Sequence, residues 1–475
     1  VTADLPVIVI GGGPVGLAAA AHLLERGLRP LVLEAGEEPG AAVRAWGHVR
    51  LFSPWRYDVD AAAARLLEPT GWTAPAGDEL PTGTELVDRY LAPLAATPQL
   101  SPHVRTGSRV LAVSRQGMDK TRTVGRDGRP YVVRTLRDGV VDDVLGRAVL
   151  DASGTWGHPN PLGAGGLAAV GEAAAAPWLA GPLPDVLGVQ RARFAGRHTL
   201  VVGMGHSAAN TLLALVRLRQ EEPGTEITWA IRGRSPARLY GGGDADGLPA
   251  RGLLGSELKA AVAAGAVRLV REFTLVRFDV PDDVPDDGPD GIPDGASGPL
   301  GVIGTGRDGA AVELSVDAVV GATGFRPDLD PLREVRLALD PVVEAPVRLA
   351  PLIDPDSHSC GTVPPHGAGV LAHPDAGFYV VGMKSYGRAP TFLLATGYEQ
   401  VRSIAAALAG DRQAADRVQL DLPVTGVCST DLAATGSRLA GVGFATGSTH
   451  GRSGQEPAAA CCGAADPVGA PAARG

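Results

Sequence analysis

The sequence predicts an α/β chain built on two parallel sheets, one for each copy of a repeated strand–turn–helix pattern. Three observations predict it. A short β-branched run near the start, Val7 to Ile10, passes through a glycine-rich turn into an Ala/Leu helix. The same order of strand, glycine turn and helix recurs from Thr199. Downstream of each copy a further strand ends in a small, a polar and a glycine residue, Ala152-Ser153-Gly154 and Ala322-Thr323-Gly324. The length of 475 residues suggests two or three domains. Hydrophobic residues make up 45% of the chain, enough for large cores, but aromatics only 4%, so Ala, Val and Leu must build them. A net charge of −9 argues against nucleic-acid or anionic-membrane binding, both of which need basic surface.

The first unit comes first in the chain. Val7-Ile8-Val9-Ile10 is continuously apolar, as a strand buried on both faces should be. It runs into Gly11-Gly12-Gly13-Pro14-Val15-Gly16 and the helix Leu17 to Glu25, with Gly27 as the stop. A second strand, Pro30 to Leu33, ends on Glu34. This is the full context of a Rossmann-like dinucleotide-binding turn. Gly11 makes the tight turn, Gly13 lets backbone approach a pyrophosphate, and Gly16 lets helix and strand pack closely. Pro14 suits the first helical position, and the helix N-terminus offers N–H groups to phosphate. Glu34 is placed to accept hydrogen bonds from a ribose diol. The alternative, a glycine turn without a ligand, loses ground once strand, helix and acid are all in place.

The second copy reads Thr199 to Val202, then Gly203-Met204-Gly205-His206-Ser207-Ala208, then a helix from Ala209 to Arg219. Ala208 replaces the third glycine, within the pattern. Its next strand, Ile227 to Ile231, ends on Arg232-Gly233-Arg234 instead of an acid. A carboxylate there would repel a ribose 2′-phosphate, whereas guanidiniums grip it, so this site reads as NADP(H). The bland alternative is a solvated turn.

Between the copies and after them the chain loosens. Pro281 to Pro299 is rich in Asp, Pro and Gly and reads as a disordered hairpin loop. From about Gly426 onward small residues dominate without periodicity, which reads as a loosely docked tail. The expected division is 1–160, 161–325, 326–412 and the tail 413–475. The apolar start, Pro6 to Leu24, lacks the basic region of a signal peptide, and no other segment approaches the ~20 apolar residues of a membrane span. A soluble cytoplasmic protein is expected.

One dinucleotide fold followed by another resembles the plan of two-dinucleotide-binding-domain flavoproteins, over roughly residues 5–412. The pieces that carry the resemblance are the two glycine motifs, Ala152-Ser153-Gly154-Thr155-Trp156, Ala322-Thr323-Gly324-Phe325-Arg326-Pro327, and the closing segment with Gly382-Met383-Lys384-Ser385-Tyr386-Gly387-Arg388. The resemblance implies FAD at the Gly11 site and NADPH at the Gly203 site, with the NADPH unit inserted into the FAD unit and the closing segment returning to the latter. It implies cofactor contacts at Gly11, Gly13, Pro14, Gly16, Glu34, His48, Arg50, Val110, Ala152 and Gly154 in the first part. In the second part it implies them at Gly203, Gly205, Ser207, Ala208, Arg232, Arg234 and Gly324, and in the closing segment at Gly382 and Gly397, the last in the first turn of a helix over 395–408. Phe194 to Gly203 resembles the approach to this site in flavin-containing monooxygenases, although Gly157 to Leu187 does not supply their F-x-G-x-x-x-H-x-x-x-aromatic stretch. Trp46 to Trp55 and His358 to His366 resemble a bacterial subgroup associated with arsenic-resistance gene clusters.

That resemblance implies hydride transfer from NADPH to flavin, then reaction with oxygen or with a disulfide. Disulfide reductases of this plan carry C-x-x-C or C-x4-C beside the flavin, and none of the four cysteines here, Cys360, Cys428, Cys461 and Cys462, forms such a pair. Oxygen chemistry is therefore expected, an oxygen atom passing through a flavin C4a-hydroperoxide to sulfur, nitrogen or trivalent arsenic. Arg50, Lys384 and Tyr386 are the catalytic candidates, with His48, Phe52 and Arg388 beside them. A basic side chain there would support the reduced anionic flavin. The adjacent Cys461 and Cys462 are candidate soft-metalloid ligands, which leaves open a reductase working through the tail; the plain alternative is a tail whose cysteines do nothing. His358, His366 and His373 lack zinc-ligand spacing with them and read as loop hydrogen-bonders, so no metal site is expected.

Overall fold

The computed structural model describes residues 4–241, 249–281, 298–353, 363–389 and 392–420. All four cysteines, His358, most of the acidic tract and the tail from Asp421 onward lie outside the described residues.

β1 (Val7–Ile10) is apolar at every position because both faces are covered. Val7 and Val9 join a core with helix α1 (Pro14–Glu25), whereas Ile8 and Ile10 join a second core on the opposite side. Each fully buried side chain of this size contributes roughly 1.5–3 kcal/mol. β1 is the middle strand of a parallel five-stranded sheet in the order β16-β7-β1-β2-β3. The others are β2 (Pro30–Leu33), β3 (Val104–Arg105), β7 (Ala148–Asp151) and β16 (Phe378–Val380). Register places Ile10 beside both Leu33 and Asp151, and Asp151 beside Val380.

The second sheet repeats this plan. It runs β11-β10-β9-β15-β8, all parallel. Its strands are β8 (Leu179–Ala180), β9 (His198–Val202), β10 (Glu226–Ala230), β11 (Arg268–Val270) and β15 (Ala318–Gly321). It too is packed on both faces, Val201 and Val320 on one side and Leu200 and Val319 on the other.

Each sheet is accompanied by a three-stranded antiparallel meander that the sequence reading did not foresee. One is β4 (Arg109–Arg115), β5 (Tyr131–Arg137) and β6 (Val140–Gly146). The other is β12 (Thr274–Asp279), β13 (Leu300–Thr305) and β14 (Ala311–Val316). The acidic tract joins β12 to β13, and these pair antiparallel, so the segment does connect a hairpin.

Two strand-like segments carry the chain between the sheets and are tied together. The Asn160 N–H donates to the Gly324 carbonyl (2.9 Å), Thr323 Oγ1 donates to the Asn160 carbonyl (2.7 Å), and the Arg326 N–H donates to the His158 carbonyl (3.0 Å). The rings of Trp156 and Phe325 lie 5.3 Å apart across them. The last long helix, Leu394–Leu408, packs back against α1. Among the described residues no helix is long and apolar enough to cross a membrane.

Candidate functional site

The first glycine turn leaves β1 at the carboxyl edge of its sheet. Gly11 has φ +99°, and a Cβ there would come within 2.7 Å of the Ala152 carbonyl oxygen. This backbone-to-backbone approach is why position 11 must be glycine. A Cβ at Gly16 would strike the Gly11 carbonyl oxygen at 1.9 Å, so helix and turn touch through glycine alone. Gly13 is different, since a Cβ there meets nothing within 4 Å. It is the N-cap of α1 without a side-chain cap, followed by Pro14. The result is an open hollow lined by unsatisfied helix N–H groups, which suits a phosphate. Glu34 closes one side: its two carboxylate oxygens accept from the backbone N–H of Gly12 (2.6 Å) and Gly36 (2.8 Å). Those bonds fix the carboxylate at the end of β2. The residues present fit a dinucleotide.

The second turn reproduces the geometry. Gly203 has φ +131° and sits against the Ala322 carbonyl, where a Cβ would approach to 2.1 Å. Gly205 is the uncapped N-cap of the helix His206–Glu221 and faces open space. Ala208 is fully buried in the adjoining core. Gly154 and Gly324 both take positive φ, +69° and +86°, where the chain turns away from each cradle. Trp229, not anticipated, donates from its indole Nε1 to the Gly203 carbonyl (2.7 Å) and steadies the turn. Arg232 and Arg234 are exposed at the end of β10. Phe52, from the loop after Arg50, meets His206 edge-to-face at 5.2 Å, so the flavin-side loop touches the second turn.

The closing segment joins the first cradle. β16 adds to the sheet edge at β7, and Gly382 (φ +68°) and Gly397 both press on Val15 in the first turn of α1. A Cβ at Gly397 would lie 2.6 Å from Val15 Cγ2. The N-terminal end of the Leu394–Leu408 helix is thereby brought beside that of α1. Val110 lies in β4 at a bulge and packs partly buried on the meander-side core. Ser207 is half-buried in the first turn of its helix and His48 is exposed.

The three catalytic candidates each have partners within the chain. Lys384 is buried, and its Nζ donates to Asp151 Oδ2 (2.7 Å) and Ser153 Oγ (3.0 Å). Its charge is neutralised by Asp151, so it positions the segment at the end of β7 instead of presenting a free cation. Arg50 is exposed; it donates to the Leu80 carbonyl and lies 3.9 Å from Glu85, tying one loop to another. Tyr386 is buried with its ring edge-on to Phe392 at 5.2 Å, and burial pushes its phenol up. Arg388 is held by Glu344 through both carboxylate oxygens.

Sequence reasoning missed Asp151, because a buried carboxylate is meaningful only beside its partner. It also missed Asp58. Ser53 Oγ donates to Asp58 Oδ1 (2.6 Å), while Oδ2 is buried without a partner, and burial pushes the carboxyl up to about 7. His366 and His373 do act as loop hydrogen-bonders: His366 pairs with the Pro364 carbonyl and the Gln400 amide, and His373 Nδ1 accepts from the Ala338 N–H. Among the described residues no group of His, Cys, Asp and Glu is gathered to hold a metal.

Comparison with known proteins agrees with this geometry. Residues 6–180 match the family described as DAO, FAD dependent oxidoreductase. The first sheet and its cradle are those of an FAD-dependent oxidoreductase, and the chain is an enzyme of that class. No curated protein matches. Among solved structures the chain is similar to a bacillithiol disulfide reductase from Bacillus cereus, with 18% identity and a TM-score of 0.58 over 86% of this chain and 99% of that one. It is also similar to an ornithine N-hydroxylase from Kutzneria sp. 744, with 16% identity and a TM-score of 0.57 over 86% and 99%. A flavin-containing monooxygenase from Stenotrophomonas maltophilia shows 24% identity and a TM-score of 0.51 over 86% and 98%. At these identities the likeness is one of fold, that of the flavoproteins with two dinucleotide-binding units.

Proposed function

We propose that the chain is a cytoplasmic NADPH-dependent FAD monooxygenase that transfers oxygen to a small soft nucleophile, with a trivalent arsenical as the substrate to test first. The observation that carries the reading is the duplicated cradle. Gly13 and Gly205 open the same hollow at two helix N-termini, and only the second is followed by Arg232 and Arg234. We assign residues 1–160 and 326–412 to the FAD unit and 161–325 to the NADPH unit.

Bound flavin supplies the hydride acceptor and the centre that reacts with oxygen. The chain's own residues bind and orient. The N–H groups after Gly13 and Gly205 meet the two pyrophosphates, Glu34 takes the FAD ribose, and Arg232 with Arg234 takes the adenosine 2′-phosphate. Asp151 and Lys384, paired at the end of β7, hold the closing segment against the first cradle. The buried Trp55, Tyr90 and Tyr398 around the neighbouring core keep that side dry. Oxygen chemistry is favoured over disulfide chemistry because the sequence carries no C-x-x-C or C-x4-C. The test is to reduce the enzyme anaerobically with NADPH and then admit oxygen, with and without a trivalent arsenical. Stoichiometric formation of the pentavalent product supports the full reading. Peroxide release alone, unaffected by the arsenical, removes that substrate.

A further inference from the structure

We propose that Arg307 is a third guanidinium of the adenosine 2′-phosphate clamp, gathered to the second cradle with Arg234 by Glu272. The proposal rests on the NADPH reading and adds to it a residue from a different part of the chain. Glu272 lies between β11 and β12 and has φ +54°, an unfavourable conformation for a residue with a Cβ. That conformation turns its N–H back to the Gly233 carbonyl (3.2 Å), in the middle of Arg232-Gly233-Arg234. Its Oε1 accepts from Arg234 Nε at 3.1 Å and lies 3.8 Å from Arg307 Nε. Arg307 sits on the turn from β13 to β14, which is closed by the Gly306 N–H on the Ala310 carbonyl (2.8 Å). The meander thus delivers a cation to a turn that the sequence places far away.

Glu272 meets both arginines at Nε, which leaves their Nη ends toward solvent. Those ends form the fork that grips phosphate oxygens in pairs. The side chains are 78% and 63% exposed. Arg232 makes no hydrogen bond or ion pair among the described residues. With the flanking Arg271 and Asp308 counted, four guanidiniums against two carboxylates leave this corner net positive, in a chain whose net charge of −9 otherwise repels a phosphorylated nucleotide. Solvated Arg–Glu pairs add little to folding stability, so stability does not account for the arrangement. Anchoring two forks beside an unpaired third does account for it.

The experiment is calorimetric binding of 2′,5′-ADP and of 5′-AMP to the full-length FAD-loaded enzyme and its variants. Wild type should prefer 2′,5′-ADP. Arg307→Ala should weaken 2′,5′-ADP about five- to tenfold, the scale of one charge-assisted contact at an exposed site, and leave 5′-AMP within about twofold. Arg307→Lys should recover part of the loss, since it keeps the charge without the fork. If Arg232→Ala weakens 2′,5′-ADP while Arg307→Ala does not, Arg307 is no part of the clamp and the NADPH reading stands. If wild type binds both nucleotides equally, the NADPH reading fails and the clamp with it.

Discussion

Replacing Lys384 by methionine removes the cation that neutralises Asp151 while keeping most of the apolar stem. The side chains of Lys384 and Asp151 are only 3% and 2% exposed, so water cannot take over the role of the ammonium. Leaving a buried carboxylate unpaired costs about 3–5 kcal/mol. Ser153 Oγ still donates to Asp151 Oδ1 at 2.6 Å, so the lower part of that range is expected. Adding Asp151→Asn removes the stranded charge, and the double variant should regain about 2 kcal/mol or more over Lys384→Met alone. Urea unfolding followed by tryptophan fluorescence reads both numbers. Asp151 stands between Ile10 and Val380 in the sheet, so the single variant should also lose FAD on purification. A loss below about 1 kcal/mol, the value of a solvated ion pair, would refute the reasoning. So would a double variant no better than the single one.

Three further predictions test the turns, a buried carboxyl and the tail cysteines. Gly11→Ala forces a Cβ against the Ala152 carbonyl and should destabilise the protein even without cofactor, whereas Gly13→Ala, at φ −78° and in open space, should leave apo stability within about 1 kcal/mol and abolish FAD retention; flavin absorbance per chain checks this, and a Gly13→Ala protein with a full complement of FAD would remove the phosphate cradle from that turn. Burial pushes the Asp58 carboxyl up to about 7, so between its usual 3.8 and about 7 the folded state keeps a proton that the unfolded chain has lost, and stability falls as pH rises through that window. His373, pushed down to about 4 by burial, acts in the opposite sense between about 4 and 6.5 and masks part of this slope in the parent. Relative to the parent, Asp58→Asn should therefore gain roughly 4 kcal/mol between pH 4 and pH 8, and a difference that stays constant with pH would sink the assignment. The double variant Cys461→Ser/Cys462→Ser should keep its rate of NADPH oxidation, measured at 340 nm; if that rate collapses, electrons leave through the tail and the enzyme is a reductase.

The parts legible in the sequence are those set by local spacing. Glycines at fixed intervals between an apolar strand and an Ala/Leu helix have few other uses, so the two turns, Glu34 and the closing helix fell where expected. The small residues at Ala152 and Ala322 are legible as a pattern, and their backbone carbonyls lie so close to Gly11 and Gly203 that neither glycine can carry a Cβ. The meanders were harder. β6 reads Val-Val-Asp-Asp-Val-Leu-Gly and is mostly exposed, so it shows no clean alternation of buried and solvated positions. Charged side chains were hardest, because their meaning lies in partners distant along the chain. Lys384 reads from the sequence as a flavin-side cation, but its partner Asp151, 2.7 Å away, lies far off along the chain, as do Leu80 and Glu85, the partners of Arg50. Asp58 and Glu272 gave no sequence signal, since burial and a backbone turn, not residue type, make them notable.

The measurement that bears most directly on the central claim is anaerobic mixing of the purified enzyme with NADPH and, separately, with NADH, followed at the flavin absorbance near 450 nm. Two cradles that serve one reaction, with Arg232 and Arg234 at the second, predict a yellow protein that NADPH bleaches at least tenfold faster than NADH. A colourless protein that takes up no FAD, or a yellow one that neither nucleotide reduces, would contradict the account.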